Sequence, residues 1–377
     1  MQDIHAFEVM KLLARARELE AEGCSVIHME IGEPDFVSPE PVIQAGQAAL
    51  ASGQTHYTPA LGLPALRQAI SEHYKTHHST DVPANRIVIT PGASGALQLV
   101  CSVLLNPGDQ VLMADPGYPC NRNFVRLVEA EAISVPVTAE TAYQLTPQLI
   151  QDHWQADTVA VMAASPSNPT GTILEHDTLK AIHALVNEKR GYLIVDEIYH
   201  GLVYDKQLRS ACDIADDIFV INSFSKYFGM TGWRVGWLVV PEDFIEPVDR
   251  LAQNIFLAAS TPAQYAALAA LDQITETILH QRRDEYARRR DYLLPALREL
   301  GFNIAVEPQG AFYIYANCEQ FTNDSYAFAN ALLEQAGVAI TPGMDFGANQ
   351  AEKHVRFAYT TSMENLQEGV RRLQAFL

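Results

Sequence analysis

The chain has 377 residues, 48% of them hydrophobic, and a formal net charge of −19 at pH 7. That length is too great for one small domain and predicts two domains, or one large α/β unit, around a substantial core. Such acidity disfavours nucleic acid and anionic membrane as partners, while five scattered cysteines without a Cys-x-x-Cys argue against a zinc or disulfide framework and fit a reducing cytosol.

The start, Met1-Gln2-Asp3-Ile4-His5, lacks the basic region and apolar core of a signal peptide. Val9, Leu12, Leu13, Ala16 and Leu19 fall at helical spacing and predict a helix over about 7–22. Residues 25–31 read as a short strand ending in the turn Gly32-Glu33-Pro34. Helices follow over 39–52 and 63–75, each with a proline at its start. From Ile87 the pattern alternates. Strands are expected over 87–90, 110–113, 132–137, 158–164, 192–195 and 218–221, with helices over 94–105, 120–129 and 178–189. Strong apolar runs separated by helices indicate an α/β fold, a mostly parallel sheet covered on both faces.

The C-terminal part reads as a smaller α+β unit. A charged helix over 281–300 carries many arginines on a solvated face. Strands over 306–316, 338–341 and 354–358 are joined by helices over 325–336 and 363–377. No apolar stretch approaches the roughly 20 residues that span a bilayer, so a cytoplasmic location is expected.

The most informative run is Ser223-Phe224-Ser225-Lys226-Tyr227-Phe228-Gly229-Met230-Thr231-Gly232-Trp233-Arg234-Val235-Gly236, which follows the apolar residues 218–221. A lysine in a Gly-rich loop is ordinarily a surface residue, but this loop leaves the edge of a buried sheet. The amine can form an imine, and the neighbouring hydroxyls and guanidinium can hold a phosphate dianion. A lysine beside its own phosphate clamp points to pyridoxal 5′-phosphate.

Other segments fit beside it. Asp196 ends the apolar run 192–195, at the strand end where ligands gather in open α/β sheets. A buried carboxylate there needs a partner; a protonated pyridine nitrogen is one, and a Mg²⁺ ion shared with Glu197 is the competing reading. No phosphate loop of the Gly-x-x-x-x-Gly-Lys-Ser/Thr type accompanies the pair. Pro91-Gly92-Ala93-Ser94-Gly95 lies between a strand and a helix, and small residues with free N–H groups there favour a phosphate. Ser165-Pro166-Ser167-Asn168-Pro169-Thr170-Gly171 and Asp115-Pro116-Gly117-Tyr118 read as turns. Arg356, in Val355-Arg356-Phe357, needs an anionic partner if it is buried.

The lysine run resembles the signature of the class I/II aminotransferases, fold type I of the pyridoxal-phosphate enzymes, and the resemblance extends from Ile31-Gly32-Glu33-Pro34-Asp35 to Arg356-Phe357. It implies a large cofactor-binding domain over 41–275 with a seven-stranded sheet, and a smaller domain from 1–40 and 276–377. It implies that Lys226 carries the cofactor, that Asp196 binds the pyridine nitrogen, and that Tyr199 and Asn168 bind the phenolic oxygen. Ala93, Ser94, Ser223 and Arg234 would hold the phosphate, and Tyr118 would stack on the ring. Arg356, Gly32 and Asn168 would receive the substrate carboxylate. Tyr57 would reach the phosphate in the partner subunit, making the enzyme a homodimer with a shared active site.

The implied activity is transfer of an amino group between an L-amino acid and a 2-oxo acid such as 2-oxoglutarate or pyruvate. Aspartate-specific relatives carry a second cation, an arginine or lysine, at the places where this chain has Phe256 or Ser94. An apolar, aromatic or broad range of amino donors is therefore expected, with His5, Arg122 and Arg126 as the cations that sequence alone does not place. A C–S β-lyase, a decarboxylase or an aminocyclopropane-carboxylate synthase shares the same motifs, and a non-catalytic regulator is a further alternative.

Overall fold

β-Branched and other apolar residues fill a set of short runs that a water-exposed strand would not tolerate. In the structure, a computed structural model that describes residues 7–377, these runs pair into sheets. The strands are β1 (Ile27–His28), β2 (Ile87–Thr90), β3 (Gln110–Asp115), β4 (Glu131–Pro136), β5 (Thr158–Ala164), β6 (Tyr192–Asp196), β7 (Phe219–Ser223), β8 (Gly236–Val239), β9 (Tyr313–Asn317), β10 (Val338–Ala339), β11 (Thr341–Pro342) and β12 (His354–Ala358). The main sheet has seven strands in the order β2-β8-β7-β6-β5-β3-β4. It is parallel from β4 to β7, and only β8 runs antiparallel to its neighbours β2 and β7.

Side chains alternate across this sheet. Leu112, Val161, Leu193 and Val220 enter one core, and Val111, Met162, Ile194 and Ile221 enter the other. Both faces are buried under helices, which is why the strands read as continuous apolar runs. Parallel β3, β5, β6 and β7 all end on one edge, at Asp115, Ala164, Asp196 and Ser223.

A third core joins the first helix, Glu8–Ala21, to the C-terminal elements. Leu12, Ala16 and Leu19 pack there with Leu293 and Leu297 of helix Gln273–Glu299 and Leu366 and Leu373 of helix Met363–Phe376. Its strands form a three-stranded antiparallel sheet, β11-β12-β9, and a parallel pair, β1-β10.

Several expectations are corrected. The strand expected over 25–31 shrinks to Ile27–His28, because the following residues turn into the cavity described below. The strand expected over 306–316 is β9 alone; Ala311 has φ 58°, which breaks the extension. The run 338–341 divides between two sheets. The charged helix begins at Gln273 rather than 281. Among the described residues, no helix is long and apolar enough to cross a membrane.

Candidate active site

A cavity of about 460 Å³ lies at the edge where the parallel strands end. Lys226 enters it three residues beyond β7. Phe224, fully buried against Phe228 and Trp237, pins the loop beneath the cavity. Gly229, at φ 65°, turns the chain back, its N–H donating to the Lys226 carbonyl at 3.2 Å. Lys226 Nζ donates to the Gly32 carbonyl at 2.5 Å. Burial, and then the charge of Arg356, lower its pKa to about 8.

Asp196 ends β6 and is 6% exposed. The only hydrogen bond to its carboxylate among the described residues comes from the Ile198 N–H, 3.0 Å from Oδ1. Burial raises its pKa to about 6, although the nearby charge of Lys226 pulls the other way. Glu197 does not join it: its carboxylate accepts from Ser210 Oγ and the Ala211 N–H, and it does not line the cavity. Among the described residues no group of acids, histidines or cysteines could hold a metal ion.

One wall is the start of helix Gly92–Leu104, whose first N–H groups have no partner within the helix. Two glycines let Arg234 and β8 close on it. Gly92 has φ 70°, and a Cβ there would lie 2.5 Å from Arg234 Nη2. A Cβ at Gly236 would lie 2.9 Å from the Ala93 nitrogen. Arg234 is itself left-handed, at φ 55°, and Nη1 donates to the Thr231 carbonyl at 3.1 Å. Ser223 sits buried behind this wall, its Oγ 2.9 Å from Ser225 Oγ, and Ser225 lines the cavity.

The opposite wall belongs to β12. Arg356, 5% exposed, donates from Nη1 to Asn168 Oδ1 at 2.8 Å. Its Nη2 donates to the Glu30 carbonyl at 2.6 Å and to Thr341 Oγ1 at 3.2 Å. Its Nε is buried without a partner. The guanidinium lies between rings, 4.2 Å from the Tyr313 centroid and 4.8 Å from that of Phe346. Tyr199 is buried, with its hydroxyl 2.7 Å from that of Tyr313.

The cavity thus joins Gly32, Ala93, Ser94, Tyr118, Asn168, Asp196, Tyr199, Lys226, Arg234 and Arg356. Tyr118 stands at its mouth, 38% exposed. Tyr57 is outside it and 83% exposed. Sequence reasoning did not single out Tyr313, Thr341, Asp345 or Phe346, which enter from the C-terminal sheet, nor Phe7, Val9 and Met10. Asp345 ties these last to the site, accepting from the Glu8 and Val9 N–H groups at 2.7 and 2.9 Å.

The cations that line the cavity, among the described residues, are Lys226, Arg234 and Arg356. Arg122 and Arg126 line an adjoining groove, Phe256 caps helix Ile245–Ile255, and His5 lies outside the described residues.

The family model for aminotransferase class I and II matches residues 25–373. The chain is 38% identical to the (5-formylfuran-3-yl)methyl phosphate transaminase of Methanocaldococcus jannaschii, over 100% of this chain and 98% of the relative. It is 37% identical to the valine–pyruvate aminotransferase of Mycobacterium tuberculosis, over 98% of this chain and 96% of the relative. The solved structure of Thermus thermophilus aspartate aminotransferase with maleate superposes with a TM-score of 0.94 at 33% identity, covering 100% of this chain and 98% of the other. These relatives differ in substrate and share one chemistry. The chain belongs to the class I and II aminotransferases, enzymes that transfer amino groups with pyridoxal 5′-phosphate.

Proposed function

We propose that this aminotransferase moves an amino group from a neutral L-amino acid, apolar or aromatic, to a 2-oxo acid such as 2-oxoglutarate or pyruvate. The observation that carries the reading is the buried Lys226 amine, near both a buried carboxylate that makes no ion pair among the described residues and a buried, incompletely bonded arginine. The residues fit pyridoxal phosphate. Asp196 has an oxygen to spare for a pyridine N–H. Gly92, without a side chain, opens the helix start and Arg234 to a phosphate.

When bound, pyridoxal phosphate supplies an aldehyde for amine exchange and a ring that draws electrons from the substrate Cα. Ala93 and Ser94 with Ser223 and Arg234 would hold the phosphate, and Tyr118 would cover the ring. Asp196 would keep the ring nitrogen protonated. Tyr199 and Asn168 would donate to the phenolic oxygen. Arg356, helped by Gly32 and Asn168, receives the α-carboxylate, its free Nε supplying a new hydrogen bond. That grip would orient the substrate Cα–H bond and favour proton removal over decarboxylation. Lys226, its amine neutral for a substantial fraction of the time near pH 8, would accept and carry the substrate Cα proton. The same reading assigns 41–275 to a cofactor-binding domain and 1–40 with 276–377 to a smaller one, supported by the separate third core.

The preference for neutral donors is supported by the lining. Phe7, Val9, Met10, Ile31, Leu97 and Phe346 are apolar, and Glu33 and Asp345 are acidic. A second carboxylate entering here would lose hydration without gaining a cation. A charge-assisted pair is worth roughly 1.5–3 kcal/mol, on the order of ten- to a hundredfold. In a panel of donors against 2-oxoglutarate and pyruvate, alanine, leucine, methionine or aromatic donors should match or exceed aspartate in kcat/KM. Aspartate ahead of every neutral donor by about a hundredfold, the span of that same pair energy, would overturn this preference.

The reading also makes the enzyme a homodimer in which Tyr57 serves the partner's phosphate, supported by the exposure of so large an aromatic ring. Tyr57→Phe should weaken cofactor affinity by about tenfold or more, the loss of one hydrogen bond to a charged group. An active monomer in sedimentation, or unchanged affinity in that variant, would count against it.

A further inference from the structure

Tyr313, in β9, touches three parts of the cavity at once. Its hydroxyl bonds that of Tyr199 at 2.7 Å. Its ring lies 4.2 Å from the Arg356 guanidinium carbon. A Cβ on Gly32 would stand 1.9 Å from the Tyr313 oxygen, so the loop that accepts from Lys226 Nζ packs on the same hydroxyl. Tyr313 is 1% exposed, and its side chain has no other hydrogen-bond partner among the described residues. The Tyr199 phenol is faced besides by Arg356, Tyr118 and Lys226, the last with Nζ 6.0 Å from the ring centroid.

A phenol turns freely about its C–O bond, so an isolated Tyr199 would not choose a direction for its proton. A hydroxyl partner opposite the cofactor side removes that freedom. A guanidinium likewise needs a flat support, and an aromatic face provides one. We propose that Tyr313 is a positioning residue for transamination: its hydroxyl aims the Tyr199 phenol and its ring holds Arg356 flat for the substrate carboxylate, an inference that rests on this site holding pyridoxal phosphate. One side chain thereby sets the groups that meet cofactor and substrate.

The two roles separate by substitution in the holoenzyme. Tyr313→Phe keeps the ring and loses the hydroxyl. It should shift the pH midpoint of the bound cofactor's visible absorbance by about 0.4–1 unit, the equivalent of one hydrogen bond. It should leave the affinity for propanoate, an unreactive carboxylate, within about twofold, since cation–π support is intact. Tyr313→Leu loses both and should also weaken propanoate by about three- to tenfold. Tyr313→Met serves the same test if the leucine variant does not fold. In a Tyr199→Phe background, Tyr313→Phe should shift the midpoint no further, an outcome that a merely structural role would not produce. A Tyr313→Phe midpoint that coincides with that of the unaltered enzyme, or a full shift in the Tyr199→Phe background, overturns the hydroxyl's role. Undiminished propanoate affinity in the leucine or methionine variant overturns the ring's. An unaltered enzyme with no titrating visible band overturns the pyridoxal-phosphate reading of the site and leaves nothing for Tyr313 to position.

Discussion

Lys226→Ala is expected to retain cofactor and to lose turnover by on the order of 10⁴-fold or more, because on the proposed reading one amine serves both as the covalent anchor and as the proton carrier. Retention follows from the remaining contacts: the phosphate wall, Asp196 and Tyr118 do not depend on the lysine. Loss follows from geometry. Among the described residues that line the cavity, the other cations are Arg234 and Arg356, and a guanidinium does not give up its proton near neutral pH. Borohydride treatment of the unaltered enzyme should leave the cofactor covalently attached, and peptide mapping should find it on Lys226. Label on another lysine would sink the assignment, as would a variant that keeps a tenth of normal turnover, far above that floor. The pH dependence has a definite sign. Burial disfavours the ammonium form and lowers the pKa to about 8, so the reactive amine accumulates as pH rises through 8 rather than above 10. Cofactor capture by the apo-enzyme should accelerate over that interval.

Much of this site was legible because its parts are local. Lys226, Asp196, Asn168 and Ser94 each follow a strand that reads as an apolar run, and the carboxyl ends of parallel strands converge. The central strands were legible because burial on two faces leaves long apolar runs in them. β8 was not: it has four residues, opens with a glycine and runs antiparallel, outside the strand–helix alternation. Helix Thr261–Ala270 was missed for a related reason. Its alanines are buried on several sides, which erases the apolar stripe that marks a surface helix. Tyr313, Thr341 and Asp345 carry no local motif. They matter because β9, β11 and the turn after it meet the large sheet across the cavity, and only the assembled chain shows that. Among the described residues, no side-chain hydrogen bond or ring contact explains Tyr57, which is 83% exposed.

Asp196→Asn is expected to lower kcat and kcat/KM together by on the order of 10²–10³-fold, as loss of a charge that acts mainly in the transition state does. The amide is nearly the same shape, so cofactor seating and KM should change little. What would disappear, on the proposed reading, is the negative charge that keeps a bound pyridine nitrogen protonated. The apo-protein should respond in the opposite direction. Burial raises the Asp196 pKa from 3.8 to about 6, so the folded protein resists ionising a group that is ionised when unfolded. This penalty is absent below pH 3.8, grows up to about 6 and is full above it. At pH 7 the neutral amide should therefore make the apo-protein more stable, by on the order of 1–3 kcal/mol, read as a higher Tm. The cofactor reverses the balance, because its protonated nitrogen favours the carboxylate. Affinity for pyridoxal phosphate should thus fall as pH drops through about 6 in the unaltered enzyme, and that loss should be smaller in Asp196→Asn, where the phosphate, with a second pKa of about 6, still titrates. Two readouts moving in opposite directions, turnover down and apo-stability up, are what a carboxylate kept for chemistry at the expense of folding requires. Turnover within tenfold of normal, well short of that loss, or an apo-protein destabilised by the amide, would show that Asp196 is a structural residue instead.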